Sequence, residues 1–455
     1  MNSFTPSSSM ITRRRWIAGL GSAALLSRLG RMSALAQGVP PDYRALVCIF
    51  LTGGNDGHNT VIPLSQDALN AYRAARGSLA LPDNNGAVLP VETPDGTPYA
   101  FNPGLEAIHP LWAQGRLAVL ANTGMLVEPV NRAAFLAKQA DVPTNLFSHS
   151  DQIQQMQSSL GPGSGGTGWA ARALDLINGL NAGSAFPGAV SIAGPSLFCT
   201  GNVVQTASLL PGFNLDASGL SLWPQAAADA RKLGIQQLME IDGGNALIKA
   251  ANKVRKDAIG LNALLAGTSA TITTPFPATS LGNQLQQVAR IIKLRNTVGM
   301  SRQVFFCSLG GFDTHGSQSW EHWNLLTQVG EAMAAFYAAT EELGVADKVT
   351  QFTLSDFGRT LQPNGVGTDH GWGNHHLILG GAVRGGRMFG TFPSLALGGD
   401  DDSGSRGAII PTTSIDAYGA TLAAWLGVPA ASLPSVFPNL PNFGTTPAHW
   451  NLGFL

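Results

Sequence analysis

The chain has 455 residues, 44% of them hydrophobic and only 12% charged, with a net charge of −1. That balance removes any electrostatic case for nucleic acid or anionic lipid as a partner, and the length suits one large domain or two closely joined ones. Three cysteines cannot pair fully within one chain, which excludes a disulfide framework.

Residues 1–36 read as an export signal. Thr12-Arg13-Arg14-Arg15-Trp16-Ile17 opens an apolar stretch running to Leu26, and Ala34-Leu35-Ala36 offers small residues for cleavage. The paired arginines resemble a twin-arginine signal, which carries folded proteins across the bacterial inner membrane. An ordinary secretory signal or an uncleaved anchor is the other reading. No later segment reaches the roughly 18 uninterrupted apolar residues of a membrane span. Residues 37–455 are therefore expected to be soluble, without stable membrane insertion, and periplasmic or secreted.

The first predicted strand, residues 45–51, runs into Thr52-Gly53-Gly54-Asn55-Asp56-Gly57-His58-Asn59. The glycines allow a tight turn that sets Asp56 at the carboxyl edge of a sheet; an Asn-Asp-Gly turn without chemistry explains the pattern equally well. A second strand is predicted over 117–121. Ser148 and Ser150 precede a helix-like stretch, where a hydroxyl either caps the helix or gains acidity from the unpaired amides. Gly161-Pro162-Gly163-Ser164-Gly165-Gly166 matches a dinucleotide fingerprint only formally, since no strand precedes it. Residues 161–222 are predicted to be long loops. Three helical patterns over 223–239, 245–265 and 281–298 then read as a helical insertion spanning 222–299.

A third strand, 304–309, leads to Phe312-Asp313-Thr314-His315. Alternate residues in an extended segment share a side, so Asp313 and His315 can grip one ion together or bond to each other. The helix predicted over 319–343 carries an apolar side. A fourth strand, 349–354, ends at Ser355-Asp356-Phe357-Gly358-Arg359, where Arg359 suits a phosphate or sulfate oxygen, or a structural salt bridge. Thr368-Asp369-His370-Gly371 precedes a short fifth strand, 377–379. Asp400-Asp401-Asp402 reads as a calcium ligand set or a solvated acidic turn. A Ser/Thr cap starts a helix over 415–425, and the proline-rich tail is expected to lie on the surface. Cys48 and Cys307 fall within strands and are expected to be buried. A disulfide at Cys199 stays open. Strands alternating with helices predict an α/β three-layer sandwich around a mainly parallel sheet.

Phe50-Leu51-Thr52-Gly53-Gly54-Asn55-Asp56-Gly57, Asp356-Phe357-Gly358-Arg359, Thr368-Asp369-His370-Gly371, Pro411-Thr412-Thr413-Ser414 and Trp425-Leu426-Gly427 together resemble a twin-arginine-exported bacterial family. This is the domain-of-unknown-function 1501 family, placed in the alkaline-phosphatase-like superfamily, and the likeness runs over nearly all of 37–455. Superfamily members of known chemistry use one or two divalent metals and a Ser, Thr or modified Cys nucleophile to transfer phosphoryl or sulfuryl groups. The resemblance implies Asp56 as a metal ligand and Ser148 as nucleophile, with Ser150 the fallback. It implies Asp313, His315 and His370 around one metal and Asp356 beside a second, with Asp369 as ligand or support. One carboxylate and two imidazoles suit zinc and also admit manganese or iron.

Two departures qualify that picture. Phe357 stands where metal-rich relatives place a ligating His, and the Cys/Ser-x-Pro-x-Arg sequence that sulfatases convert to their nucleophile is missing. The expected function is an exported metal-dependent hydrolase of phosphate, less readily sulfate, esters of a small molecule or glycan. Its carrier would be the twin-arginine translocation machinery. The rival is a non-catalytic exported scaffold or binding protein that keeps a partial metal site.

Overall fold

Strand β1, Arg44–Thr52, is apolar throughout its middle, and its alternate residues enter two different cores. Ala45, Val47, Ile49 and Leu51 join one cluster, and Leu46, Cys48 and Phe50 the other. A strand buried on both faces must lie inside a sheet covered twice. The computed structural model, which describes residues 42–82, 87–161, 166–184, 186–211, 223–265 and 271–455, has that form. The signal-like residues 1–36, and 162–165 of the glycine-rich run, lie outside the described residues.

The other strands of the central sheet are β2 (Leu117–Gly124), β3 (Ala189–Ser191), β4 (Thr206–Ser208), β5 (Arg302–Gly310), β6 (Val349–Ser355), β7 (Asn374–Gly380), β8 (Arg387–Phe389) and β9 (Thr413–Ser414). They form a nine-stranded sheet in the order β8-β2-β7-β6-β1-β5-β3-β4, with β9 also on β2. β1 pairs in parallel with β5 and β6, and only β7 runs against its neighbours β2 and β6. The architecture is a three-layer α/β sandwich with a mainly parallel sheet.

The helices follow in chain order: α1 (Gln66–Arg76), α2 (His149–Ser158), α3 (Trp169–Ile177), α4 (Gln225–Leu238), α5 (Ala246–Leu265), α6 (Ser280–Lys293), α7 (Gln318–Glu342) and α8 (Ile415–Leu426). α6 and α7 cover one face through Leu281, Leu285, Val288, Leu326, Val329 and Phe336. α3 and α8 cover the other through Trp169, Leu174, Tyr418 and Leu422. No helix among the described residues is long and apolar enough to cross a membrane. All three cysteines are buried and free.

Three sequence expectations differ from what is found. The predicted loop region contains α3, β3 and β4, elements too short for periodicity to reveal; α3 and β3 are largely buried in the sandwich, and β4 is its exposed edge strand. α6, within the stretch 222–299 read as a helical insertion, packs its apolar side against the sheet and α7. The tail is not superficial: Val436, Phe437, Leu440, Trp450 and Phe454 are core residues. The acidic run is likewise no solvated turn at Asp402. That carboxylate is buried and accepts from the backbone amides of Gly398, Gly404 and Gly407.

One core carboxyl is under electrostatic stress. Asp416, in the first turn of α8, is fully buried, and burial pushes its pKa up to about 7. Ser159 and Asn439 lie close enough to moderate the shift, but neither carboxylate oxygen completes a hydrogen bond among the described residues. The nearby Arg172 is committed to the carbonyls of Ser158, Thr167 and Val436. An unfolded Asp loses its proton near 3.8, whereas the folded one keeps it to about 7. Rising pH between those values therefore costs stability, by a slope approaching about 1.4 kcal/mol per pH unit. Asp416→Asn cannot ionise. Its stability relative to wild type should rise from pH 4 to pH 7 and then level off, as read from urea midpoints; a pH-independent difference would refute the assignment.

Candidate metal centre

The carboxyl edge of the sheet gathers the chemistry. β1 is followed by Gly53 and Gly54, whose φ angles of 117° and 82° suit residues without a side chain. Close approach demands the same, since a Cβ on Gly53 would meet the Asp313 nitrogen at 2.4 Å, and one on Gly54 the Phe357 ring at 2.5 Å. The bare turn lets Gly53 N–H donate to both oxygens of Asp356, at 3.2 and 3.1 Å. Its carbonyl accepts from Arg359 Nη1 at 3.1 Å. Asp356 follows β6 directly, and Asp313 and His315 follow β5. His370 closes a short antiparallel pair, Arg359–Pro363 with Thr368–His370, that sets it opposite Arg359.

His149, Asp313 and His370 each offer a ligand atom, all within 4.8 Å of one another. His370 Nε2 lies 3.1 Å from His149 Nε2, 3.1 Å from His315 Nε2 and 3.2 Å from Asp313 Oδ1. His315 Nε2 is itself 3.0 Å from Asp313 Oδ1. Three imidazoles thus turn the same ring nitrogen toward one carboxylate.

Their other nitrogens face supports. His149 Nδ1 bonds Asp356 Oδ2 at 2.7 Å, and His370 Nδ1 bonds the Phe147 carbonyl at 2.7 Å. His315 Nδ1 faces Asp369 Oδ1 at 3.5 Å and Asn364 at 3.4 Å. Phe147 holds its carbonyl there from a left-handed φ of 70°, a conformation that side chains rarely adopt.

The acceptors behind His149 and His370 assign the tautomers of those two rings. With Nδ1–H donated outward, the facing Nε2 atoms present lone pairs that repel at about 3 Å unless a proton or cation sits between them. The donor set fits a divalent cation, and outward bonds of this kind orient metal-binding imidazoles. Protonation answers the same need in the free protein. The Asp356 hydrogen bond raises the pKa of His149, whereas burial lowers that of His370. Burial opposes ionisation of Asp313, but Arg359 and the neighbouring imidazoles hold its carboxyl below the ordinary value.

The sequence-selected residues divide by position. Asp313, His315 and His370 meet at the centre, and Asp356 stands behind His149. Asp369 stands behind His315, paired with Arg406. Asp56 is buried on Arg76 and Gln318 and accepts from Asn59 N at 3.2 Å. Its carboxylate is thus engaged away from the described cluster. Arg359 is fully buried, with bonds to Asp313 at 2.8 Å, to Gly53 O and to Thr368. Here it positions Asp313 and does not reach toward a substrate. Ser148 precedes α2 without capping it, and its hydroxyl donates to Asp151 Oδ2 at 2.5 Å.

His149 lies in a segment that the sequence singles out, Ser148-His149-Ser150-Asp151, but sequence reasoning gave the imidazole itself no part in the site. It stood between the two serines that drew attention, and its only signal was an imidazole at a helix start. Phe357 packs against both His149 and His370, with ring centroids 4.8 Å from each.

Residues 99–405 match the family model described as "Protein of unknown function (DUF1501)". The chain belongs to this family. No curated protein matches the DUF1501 chain. Among solved structures, it is similar to the PsFucS1 sulfatase from Pseudoalteromonas sp., at 10% identity and a TM-score of 0.34, covering 89% of this chain and 70% of that one. It is similar to the phosphonate monoester hydrolase of Agrobacterium radiobacter at 11% identity and 0.33, covering 85% and 74%. The zinc complex of the C-terminal periplasmic domain of EcEptC from Escherichia coli aligns at 8% identity and 0.32, over 75% and 74%. Likenesses of this size carry no argument about the chemistry of the DUF1501 chain.

Two outcomes follow from the geometry. Asp356→Asn should keep the metal stoichiometry while weakening zinc affinity about 10- to 100-fold, because the orienting carboxylate is lost. Calorimetric titration giving wild-type affinity would remove Asp356 from that role. Since the Asp356 hydrogen bond raises the pKa of His149 and a metal needs the bare nitrogen, zinc binding should release protons, more of them as pH falls. Affinity should accordingly fall as pH falls, which titration in buffers of different ionisation enthalpy will detect.

Proposed function

We propose that this chain is an exported, metal-dependent hydrolase of phosphate esters, or less readily sulfate esters, on an alkaline-phosphatase-like scaffold. The observation that carries this reading is the convergence of three imidazole nitrogens on Asp313, with His149 and His370 each backed by its own acceptor. A bound divalent cation, zinc with manganese or iron as alternatives, would supply Lewis acidity that offsets charge on the leaving oxygen. His149, His315, His370 and Asp313 would hold it. Arg359 keeps Asp313 ionised and in place, and Asp356 fixes the ring of His149. Ser148 is the proposed nucleophile. Its hydroxyl is free of any capping duty, Asp151 receives its hydrogen bond, and the unpaired amides at the start of α2 favour an oxyanion. The signal-like residues 1–36 support delivery by the twin-arginine machinery.

A non-catalytic scaffold or binding role is the second reading. It is favoured by the internal engagement of Asp56 and Arg359, which leaves neither group turned to a substrate.

Metal analysis of purified protein should find a single cation per chain, absent from His370→Ala. A screen of aryl phosphates, phosphodiesters and sulfates on metal-loaded protein should find turnover. Ser148→Ala should then lose on the order of 1,000-fold in kcat with metal retained, while Ser150→Ala changes little. Near-normal turnover in Ser148→Ala would reject the serine mechanism. Bound metal with no turnover on any ester class would favour the scaffold.

A further inference from the structure

Trp320 and Trp323 lie on the first turns of α7, 67% and 36% exposed, with ring centroids 5.0 Å apart and planes at 36°. Neither side chain belongs to a core cluster, and neither indole N–H has a partner among the described residues. The same turns bury Gln318, His322, Leu325 and Leu326, so the helix is already anchored without the two indoles. Large aromatic rings left in water need an explanation when they stand together beside a reactive centre.

The start of the helix that carries the pair is tied to the segment beside that centre. Gly367 packs against the backbone of His315, where a Cβ would meet its carbonyl carbon at 2.2 Å. The adjoining Val366 is 67% exposed, and its carbonyl accepts from the Gln318 amide at 3.1 Å. Trp320 follows His315 by five residues, which limits their separation to roughly 18 Å by chain length alone. The hydrogen bond from Gln318 thus ties the segment behind His315 to the start of α7, the helix that carries the indoles. The residues flanking the indoles are polar, with Ser319, Glu321 and Asn324 all exposed.

We propose that Trp320 and Trp323 form an outer subsite for a sugar ring of the substrate. The proposal rests on the hydrolase reading above and narrows its substrate to a glycan ester. A pyranose ring has one face of C–H groups and a rim of hydroxyls. The indole faces take the first, and the indole N–H groups with Ser319, Glu321 and Asn324 take the second. An acyl chain would need a longer unbroken apolar strip, and the polar residues between and beside the rings interrupt one.

The test is calorimetric and fluorescence titration of the full chain with chitohexaose, cellohexaose and a heparin-derived hexasaccharide. At least one should quench the tryptophan emission and bind. Replacing both residues with Ala should weaken that binding about 10-fold or more, while Trp320→Phe with Trp323→Phe retains most of it and reports an intact fold. His370→Ala should keep the binding, because the subsite is separate from the metal. Failure of all three sugars to bind, or equal binding by the double Ala variant, would overturn the proposal. So would tryptophan-dependent binding to phosphatidylglycerol vesicles without sugar binding, which would mark a membrane surface. Metal content and turnover are read independently. Tryptophan-dependent sugar binding in a protein without metal or turnover would sink the hydrolase reading and leave the subsite standing.

Discussion

The geometry of the centre depends on the absence of a side chain at Gly53. Its peptide sits between two acidic systems, with its N–H gripping Asp356 and its carbonyl receiving Arg359. Asp356 sets the ring of His149, and Arg359 sets the carboxylate of Asp313. One residue therefore fixes the spacing between two first contacts that come from opposite sides of β1. A methyl group there would collide with the backbone of Asp313. The strand, the turn and the metal-binding groups are consequently one mechanical unit.

Behind this unit lies a second, wholly buried layer of charge. Asp56 and Arg76 pair with no exposure of either side chain, and Gln318 joins them while also accepting from Thr368. Burial opposes ionisation of Asp56, yet the adjacent Arg76 holds its carboxyl below the ordinary value. Buried ion pairs add little net stability over apolar packing. What this one fixes is position, since it ties the end of β1, α1 and the start of α7 to the strand that carries His370.

The sheet was legible because its long strands are uninterrupted apolar runs ending in acidic or imidazole residues. β1, β5 and β6 could be placed from pattern alone, and so could the positions of Asp313, His315 and Asp356 at their ends. The elements between them were not, because α3, β3 and β4 are short and sit in glycine-rich sequence. The tail misled for a different reason: proline spacing suggests a surface path, but Phe437 and Phe454 find a core that only the folded sheet creates. Within the site, residue type identified the chemistry but not the partners. Nothing local distinguishes Asp56, closed on Arg76, from Asp313, half exposed at the centre. His149 required knowing that the start of α2 faces the strand ends.

The order of the strands has a consequence for how the chain is made. β1 is central, yet its neighbours β5 and β6 come late: Arg44 pairs with Arg302 and Ala45 with Val349. During synthesis from the N-terminus, β1 emerges with both edges unsatisfied; β5 can cover one only after Gly310 is made, and β6 the other only after Ser355. Its apolar faces must be shielded or remain unstructured through that interval, and such long-range parallel pairing is intrinsically slow. The metal-binding groups can meet only once His370 has followed β1, β5 and β6, so a chain that could hold its metal would be one whose three central strands are already made.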